Sequence, residues 1–267
     1  MTDRSARAPR GAVVLGAVVL SGCGLWRPVT VPIATIAVPA RCSAPSDTLL
    51  VLLPGAASMP EEFVREGFVG ALRERHVAAD VVIADAHRGY YRQRSIIDRL
   101  QEDVIAPARA RGYRQVWLVG ISLGGFGAMI YTRERPAGVT GIVAIAPYLG
   151  EGEVANEIAA QGGLKAWDGR VTAGEGAEPL DTPLWRWLQP YANGARADDG
   201  AERPPLYLGY GRSDRFAVTN ALLAAALPPE HVFTTDGGHD WPPWLRLWRS
   251  MLDVMPLARD VGCGLVE

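Results

Sequence analysis

The chain has 267 residues, enough for one large α/β domain, and its 48% hydrophobic and 21% charged residues are those of an ordinary globular protein. A formal net charge of -2 leaves no basic surplus to recruit nucleic acid. There is no H-E-x-x-H, no clustered Cys/His set and no glycine loop of phosphate- or dinucleotide-binding pattern, so neither a metal nor a cofactor is expected.

At the N-terminus, Arg4, Arg7 and Arg10 precede a short apolar run, Gly11 to Leu20, too short to span a bilayer. It ends in Leu20-Ser21-Gly22-Cys23. These flanks and this tetrapeptide resemble the lipobox of bacterial lipoproteins, where a cysteine after a small residue is lipidated and becomes the new N-terminus. The resemblance implies a signal peptide over residues 1–22 and lipidation of Cys23. It also implies an address on the extracytoplasmic side of a membrane in a bacterial envelope. An ordinary signal peptide or an uncleaved anchor is the alternative. Removing three arginines and one aspartate with residues 1–22 takes the charge from -2 to -4. Cys42 and Cys263 remain near the two ends of the mature domain. In an oxidising compartment they either pair across a very long loop or stay as buried thiols.

Residues 23–46 carry Pro28, Pro32, Pro39 and Pro45 and read as a tether, with one edge strand across Ile33 to Val38. The domain proper is placed at 47–267. Asp47 to Leu53 is its first buried strand, running into Pro54-Gly55-Ala56-Ala57-Ser58. Pro60 to Arg73 reads as a helix and Asp80 to Ala84 as a strand. The loop after that strand carries His87, Tyr90 and Tyr91, the tyrosines being either pocket walls or surface aromatics. Ile96 to Arg111 is an amphipathic helix, with Ile97, Leu100, Val104 and Ala108 on one face.

Gln115 to Met129, QVWLVGISLGGFGAM, joins a buried strand to a helix through Gly120-Ile121-Ser122-Leu123-Gly124. A G-x-S-x-G at a strand-to-helix junction is the context of a nucleophile elbow. The serine is presented at the helix N-terminus, where free N–H groups and the dipole favour an oxyanion. Thr140 to Ala146 is the next strand. From Gly150 to Pro204 the rhythm breaks, and Trp167, Trp185, Trp187 and Tyr191 gather among glycines and acids. Such an insertion reads as a lid with aromatic substrate walls, or as a segment its tryptophans merely anchor. The repeat resumes with strand Pro205 to Tyr210, loop GRSDR, helix Val218 to Leu227 and strand His231 to Thr235. The loop GGHDW then leads into a closing helix, Trp241 to Met255.

Ser122, Asp214 and His239 therefore each follow a predicted strand, in the order serine, acid, histidine. Asp236 and Asp240 are weaker acids for the role, one in a turn and one abutting the histidine. With GISLGG, GRSD and GGHDW in place, the chain from about Thr48 to Met255 resembles an α/β-hydrolase. The resemblance implies a mostly parallel central sheet with helices on both faces and a lid insertion at about 150–204. It also implies a serine nucleophile with oxyanion N–H donors at Leu123 and Ala56, Ala57 lying one step away. The oxyanion loop departs from the family pattern in lacking a histidine before its glycine. The reading that follows is a carboxylesterase on small-molecule acyl esters, held to a membrane by its N-terminal lipid. A thioesterase or peptidase would use the same triad. A non-catalytic envelope lipoprotein binding lipid or a partner is the reading from a different class.

Overall fold

The computed structural model describes residues 27–40, 42, 45–171, 178–179, 181–194 and 203–263. Cys23 and the signal segment lie outside the described residues, as do parts of the 150–204 insertion. Seven strands form one sheet: β1 Thr35–Val38, β2 Thr48–Leu53, β3 Asp80–Ala84, β4 Gln115–Ile121, β5 Gly141–Ile145, β6 Leu206–Gly211 and β7 Val232–Thr235. Their order is β1-β3-β2-β4-β5-β6-β7. Only β1 runs antiparallel, against β3, with Thr35 opposite Ala84 and Val38 opposite Val81. The remaining pairs are parallel, so their C-terminal ends share one edge.

The central strands are apolar because helices cover both their faces. Along β2, Leu49, Val51 and Leu53 pack on one side while Leu50 and Leu52 pack on the other, as the two-residue period dictates. The first side is closed by α4 Ile96–Leu100, α6 Leu123–Glu134, α7 Glu153–Ala160 and α8 Thr182–Leu188. The second is closed by α1 Glu62–Arg65, α2 Phe68–Glu74 and α10 Trp241–Val254. Trp248 of α10 is fully buried, stacks on Phe68 and donates from Nε1 to the Phe68 carbonyl at 3.0 Å. Truncating such an aromatic costs about 3–5 kcal/mol. Two more helices are α3 Arg88–Arg92, after β3, and α9 Ala217–Ala224, after β6. No helix among the described residues is long and apolar enough to cross a membrane.

Four expectations need correcting. The helix expected over Pro60 to Arg73 is two short helices, broken at Gly67, whose φ of +86° lies in the left-handed region. The helix from Ile96 widens into a π turn at Gln101–Ile105 before continuing as α5 Ala106–Ala110. Pro107 has no N–H for the regular ladder, and the wider turn accommodates it.

The stretch 27–40 is not a loose tether. Arg27 forms an ion pair with Asp85 and donates to the Ser58 carbonyl. The Thr30 N–H donates to the Tyr90 hydroxyl, which donates in turn to the Thr30 carbonyl, both at 3.1 Å. Ile33 is buried, and its N–H reaches Asp103 at 2.8 Å. Its chain then enters the sheet as β1. Cys42 and Cys263 are joined by a disulfide spanning 221 residues of sequence.

The insertion's tryptophans are anchors. Trp185 is fully buried and donates from Nε1 to the Leu149 carbonyl at 3.0 Å. Trp187 packs edge-on to Tyr191 beneath the Arg203 guanidinium. Neither lines the two cavities described below, and neither does Tyr90, which is buried against His87 and the 27–33 segment.

Candidate active site

The nucleophile position is set by the end of β4. Ser122 has φ 54° and ψ -115°, a strained backbone that holds its side chain out at the tip of the turn. The turn closes only around glycine. A Cβ on Gly120 would lie 2.1 Å from the Gly124 carbonyl oxygen, and one on Gly124 would lie 2.0 Å from that of Leu53. The Ser122 N–H donates to the Ile145 carbonyl on β5, and its own carbonyl accepts from the N–H groups of Phe126 and Tyr148. The elbow is thus bonded to the next strand before any side chain is considered.

Asp214 and His239 come from the loops after β6 and β7. Those loops are stitched together: the Arg212 N–H donates to the Thr235 carbonyl and the Ser213 N–H to that of Gly237, at 2.8 and 3.0 Å. A Cβ on Gly211 would lie 2.3 Å from the Gly237 carbonyl oxygen, so a side chain there would push the loops apart. Asp214 is buried. Its Oδ1 accepts the Phe216 N–H at 2.8 Å, and its Oδ2 lies 2.8 Å from His239 Nδ1. His239 Nε2 lies 2.9 Å from Ser122 Oγ. A carboxylate only accepts, so Nδ1 carries the ring proton and Nε2 is left to accept from the serine hydroxyl. Phe216 and Trp244 meet the imidazole edge-on, with centroids 5.1 and 5.0 Å away. They confine its rotation to the plane joining serine and acid.

The structure therefore brings together Ser122, Asp214 and His239 and leaves the other candidate acids apart. Asp236 is exposed and paired with Arg212. Asp240 caps α10, accepting the Trp241 N–H. On the oxyanion side, Gly55 to Ser58 is a turn closed by the Ser58 N–H on the Gly55 carbonyl at 3.1 Å. A Cβ on Gly55 would lie 3.5 Å from Ser122 Cβ, so this turn runs directly against the nucleophile. Among the described residues, neither Ala56 N–H nor Leu123 N–H has a protein acceptor.

Beside the triad lies a cavity of about 440 Å³ lined by Phe126, Tyr148, Gly150, Glu151, Glu153, Pro179 and Asp181. Tyr148 packs edge-on to Phe216, which links the cavity wall to the His239 ring. The Tyr148 hydroxyl donates to Glu151 at 2.5 Å, and burial pushes its pKa up. Burial likewise raises the Asp181 carboxyl, whose Oδ2 has no partner among the described residues. Tyr91 sits on the other side of Phe126, lining a second cavity of about 330 Å³ with Ile130 and Leu184. Sequence reasoning missed Tyr148, Phe126, Phe216 and Trp244 as site residues. Only Phe216, two places after the acid, carried a positional signal.

The chain belongs to the alpha/beta hydrolase family, which matches residues 50–264. Among solved structures it is similar to Est1E from Butyrivibrio proteoclasticus, with a TM-score of 0.52 at 15% identity over 82% of this chain and 91% of that one. S-formylglutathione hydrolase from Agrobacterium tumefaciens matches with a TM-score of 0.51 at 15% identity, covering 83% of this chain and 88% of that one. The FrmB S-formylglutathione hydrolase of Staphylococcus aureus also gives 0.51 at 15% identity, over 78% and 80%. At these identities the likeness speaks to the fold. Among curated proteins, none matches the chain in sequence.

Proposed function

We propose that the protein is a serine carboxylesterase acting on small or medium acyl esters, carried as a lipoprotein through Cys23. The observation that supports the reading most is the hydrogen-bonded series from Ser122 Oγ through the His239 ring to Asp214. His239 Nε2 takes the hydroxyl proton as Ser122 Oγ attacks the acyl carbonyl. Asp214 holds the tautomer and stabilises the imidazolium that forms. The N–H groups of Leu123 and Ala56 stabilise the oxyanion, each worth a few kcal/mol. Collapse of the tetrahedral intermediate transfers the proton from His239 to the leaving alkoxide and leaves an acyl-serine. Water, activated by the same imidazole, then releases the acid and restores the serine.

Leaving-group choice does not alter this machinery, so thioesters and amides enter by the same route. The cavity walled by Phe126 and Tyr148 supplies apolar surface for an acyl group in each case. The test is Ser122→Ala on the purified domain, with a fluorophosphonate probe on the parent. Turnover of activated esters should fall by roughly 10⁴-fold or more, with the melting transition unchanged and the probe bound only to the parent. A folded Ser122→Ala protein with parental turnover would remove the serine from the mechanism.

A further inference from the structure

The chain is first described at Arg27, at the sheet edge that carries Ser122. Arg27, the first described residue, is paired with Asp85 just past the C-terminal end of β3, and donates to Ser58 in the turn after β2. That turn runs against Ser122. Cys23 is four residues upstream of Arg27, and four residues span at most about 14 Å even when fully extended. A lipid carried on Cys23, as proposed above, would therefore sit within that distance of Arg27.

The surface at this edge suits a phospholipid layer. A cavity of about 320 Å³ beside the 27–33 segment is lined by Arg27, Arg88 and Arg92 together with Pro28 and Val29. The guanidinium groups of Arg88 and Arg92 are exposed there, beside Arg27 already held by Asp85, and guanidinium groups match phosphate geometry. Apolar side chains project there as well: Val31 in the segment itself, Met59 beyond the oxyanion turn, and Val218 beyond the acid loop, the last 82% exposed. Val254, at the far end of α10, marks the opposite edge.

We propose that the 27–33 segment is a rigid arm that lays the catalytic edge on the bilayer, so that the substrate class is the acyl ester of a membrane amphiphile presented at that surface. This rests on the lipidated-esterase reading above. The occupant is the phospholipid surface in which the anchor itself sits. The reach of the anchor and the arginine-lined cavity favour it over a protein partner.

The test uses lipidated protein in vesicles of phosphatidylethanolamine and phosphatidylglycerol, with an environment-sensitive fluorophore on Met59→Cys, Val218→Cys or Val254→Cys. Brominated lipid should quench the label at 59 and 218, with a blue-shifted emission, and should leave 254 unquenched. Equal behaviour at the two edges overturns the orientation. A second variant inserts a flexible Gly/Ser stretch of about thirty residues between Cys23 and Arg27, with a mean reach of about 30 Å. Hydrolysis of a soluble acetate ester should be unchanged, while hydrolysis of a vesicle-borne long-chain ester should fall by about tenfold as the effective concentration at the surface drops. Equal rates on the vesicle-borne ester overturn the claim about substrate. The two premises fail separately. An N-terminal peptide without the lipid mass removes the anchor and the proposal with it. An oriented protein without soluble-ester turnover removes the hydrolase reading and leaves the orientation standing.

Discussion

The two halves of the site are held by different means. The triad half is fixed by backbone: the elbow is bonded to β5, and the acid and histidine loops are bonded to each other from Arg212 to Thr235 and from Ser213 to Gly237. The half proposed to hold the oxyanion is a four-residue turn whose outer contact is a guanidinium arriving from the N-terminal arm. Backbone closure leaves the first half little freedom. The second half depends on a side chain from a segment that precedes the first core strand. Chemistry at Ser122 should therefore be robust to changes outside the strand ends, while oxyanion stabilisation should be open to adjustment from the arm.

The largest expected effect lies in the triad half. Asp214→Asn should lower kcat/KM by roughly 10⁴-fold, because an amide partner favours the wrong His239 tautomer. Asp236→Asn and Asp240→Asn, changed in parallel and assayed on one short ester, should stay within a few-fold of the parent. A larger loss at either would move the acid out of the β6 loop.

Next comes the elbow's closure. Gly124→Ala places a methyl into the Leu53 carbonyl, a backbone group that cannot swing aside. The expected result is a loss of about 3 kcal/mol or more in urea unfolding, together with activity. Tolerance of alanine there would mean the strand and helix do not approach as described.

A smaller effect separates the halves. Arg27→Ala should lower kcat on a short ester by about tenfold and leave KM nearly unchanged, since the turn it positions acts on the oxyanion and not on substrate binding. Arg27→Lys keeps the charge opposite Asp85 but loses the fork that also reaches Ser58, and should recover only part of kcat. A change confined to KM would place Arg27 in substrate binding.

The smallest effect is a pH dependence of stability. His87 is buried beside Asp85, Arg27 and Tyr90, and its Nδ1 accepts the Gly89 N–H, which only an unprotonated Nδ1 can do. Burial lowers its pKa below the ordinary 6.5, and burial does the same for His231. A lowered histidine pKa means the unfolded chain binds protons that the folded one refuses. Stability is thus complete above about pH 6.5 and is lost as pH falls toward the folded-state values. Thermal unfolding across pH 7.5 to 5 should show this decline, with a shallower slope in His87→Gln. An unchanged slope would take His87 out of the decline and leave it to other groups, His231 among them.

Much of this architecture was legible in the sequence because buried parallel strands write themselves as uninterrupted apolar runs. β3 falls on the expected residues, and β2 differs only at its first residue. The meeting of Ser122, Asp214 and His239 was legible for the same reason, since each follows such a run. What was not legible is whether a segment of ambiguous composition is docked. Prolines at 28, 32 and 39 suit a free tether as well as an extended arm, and nothing local announces the Asp85 carboxylate waiting for Arg27. Trp185 and Trp187 have the composition of a pocket wall. Their burial depends on Leu149, Tyr191 and Arg203, up to 36 residues away. Phe216 and Trp244 escaped because a ring beside a histidine is defined by packing, which no spacing rule records.

The Cys42–Cys263 bond turns all but the two ends of the molecule into a closed ring. Cys23 lies outside that ring, upstream of Cys42. A protease that cuts the chain once anywhere between the two cysteines therefore releases nothing: both pieces stay covalently joined, and a lipid on Cys23, as proposed, would hold both. Without reductant the nicked protein would migrate as a single species, and with reductant it would divide at the cut. Such a protein is retired only by a second cut or by loss of the bond itself.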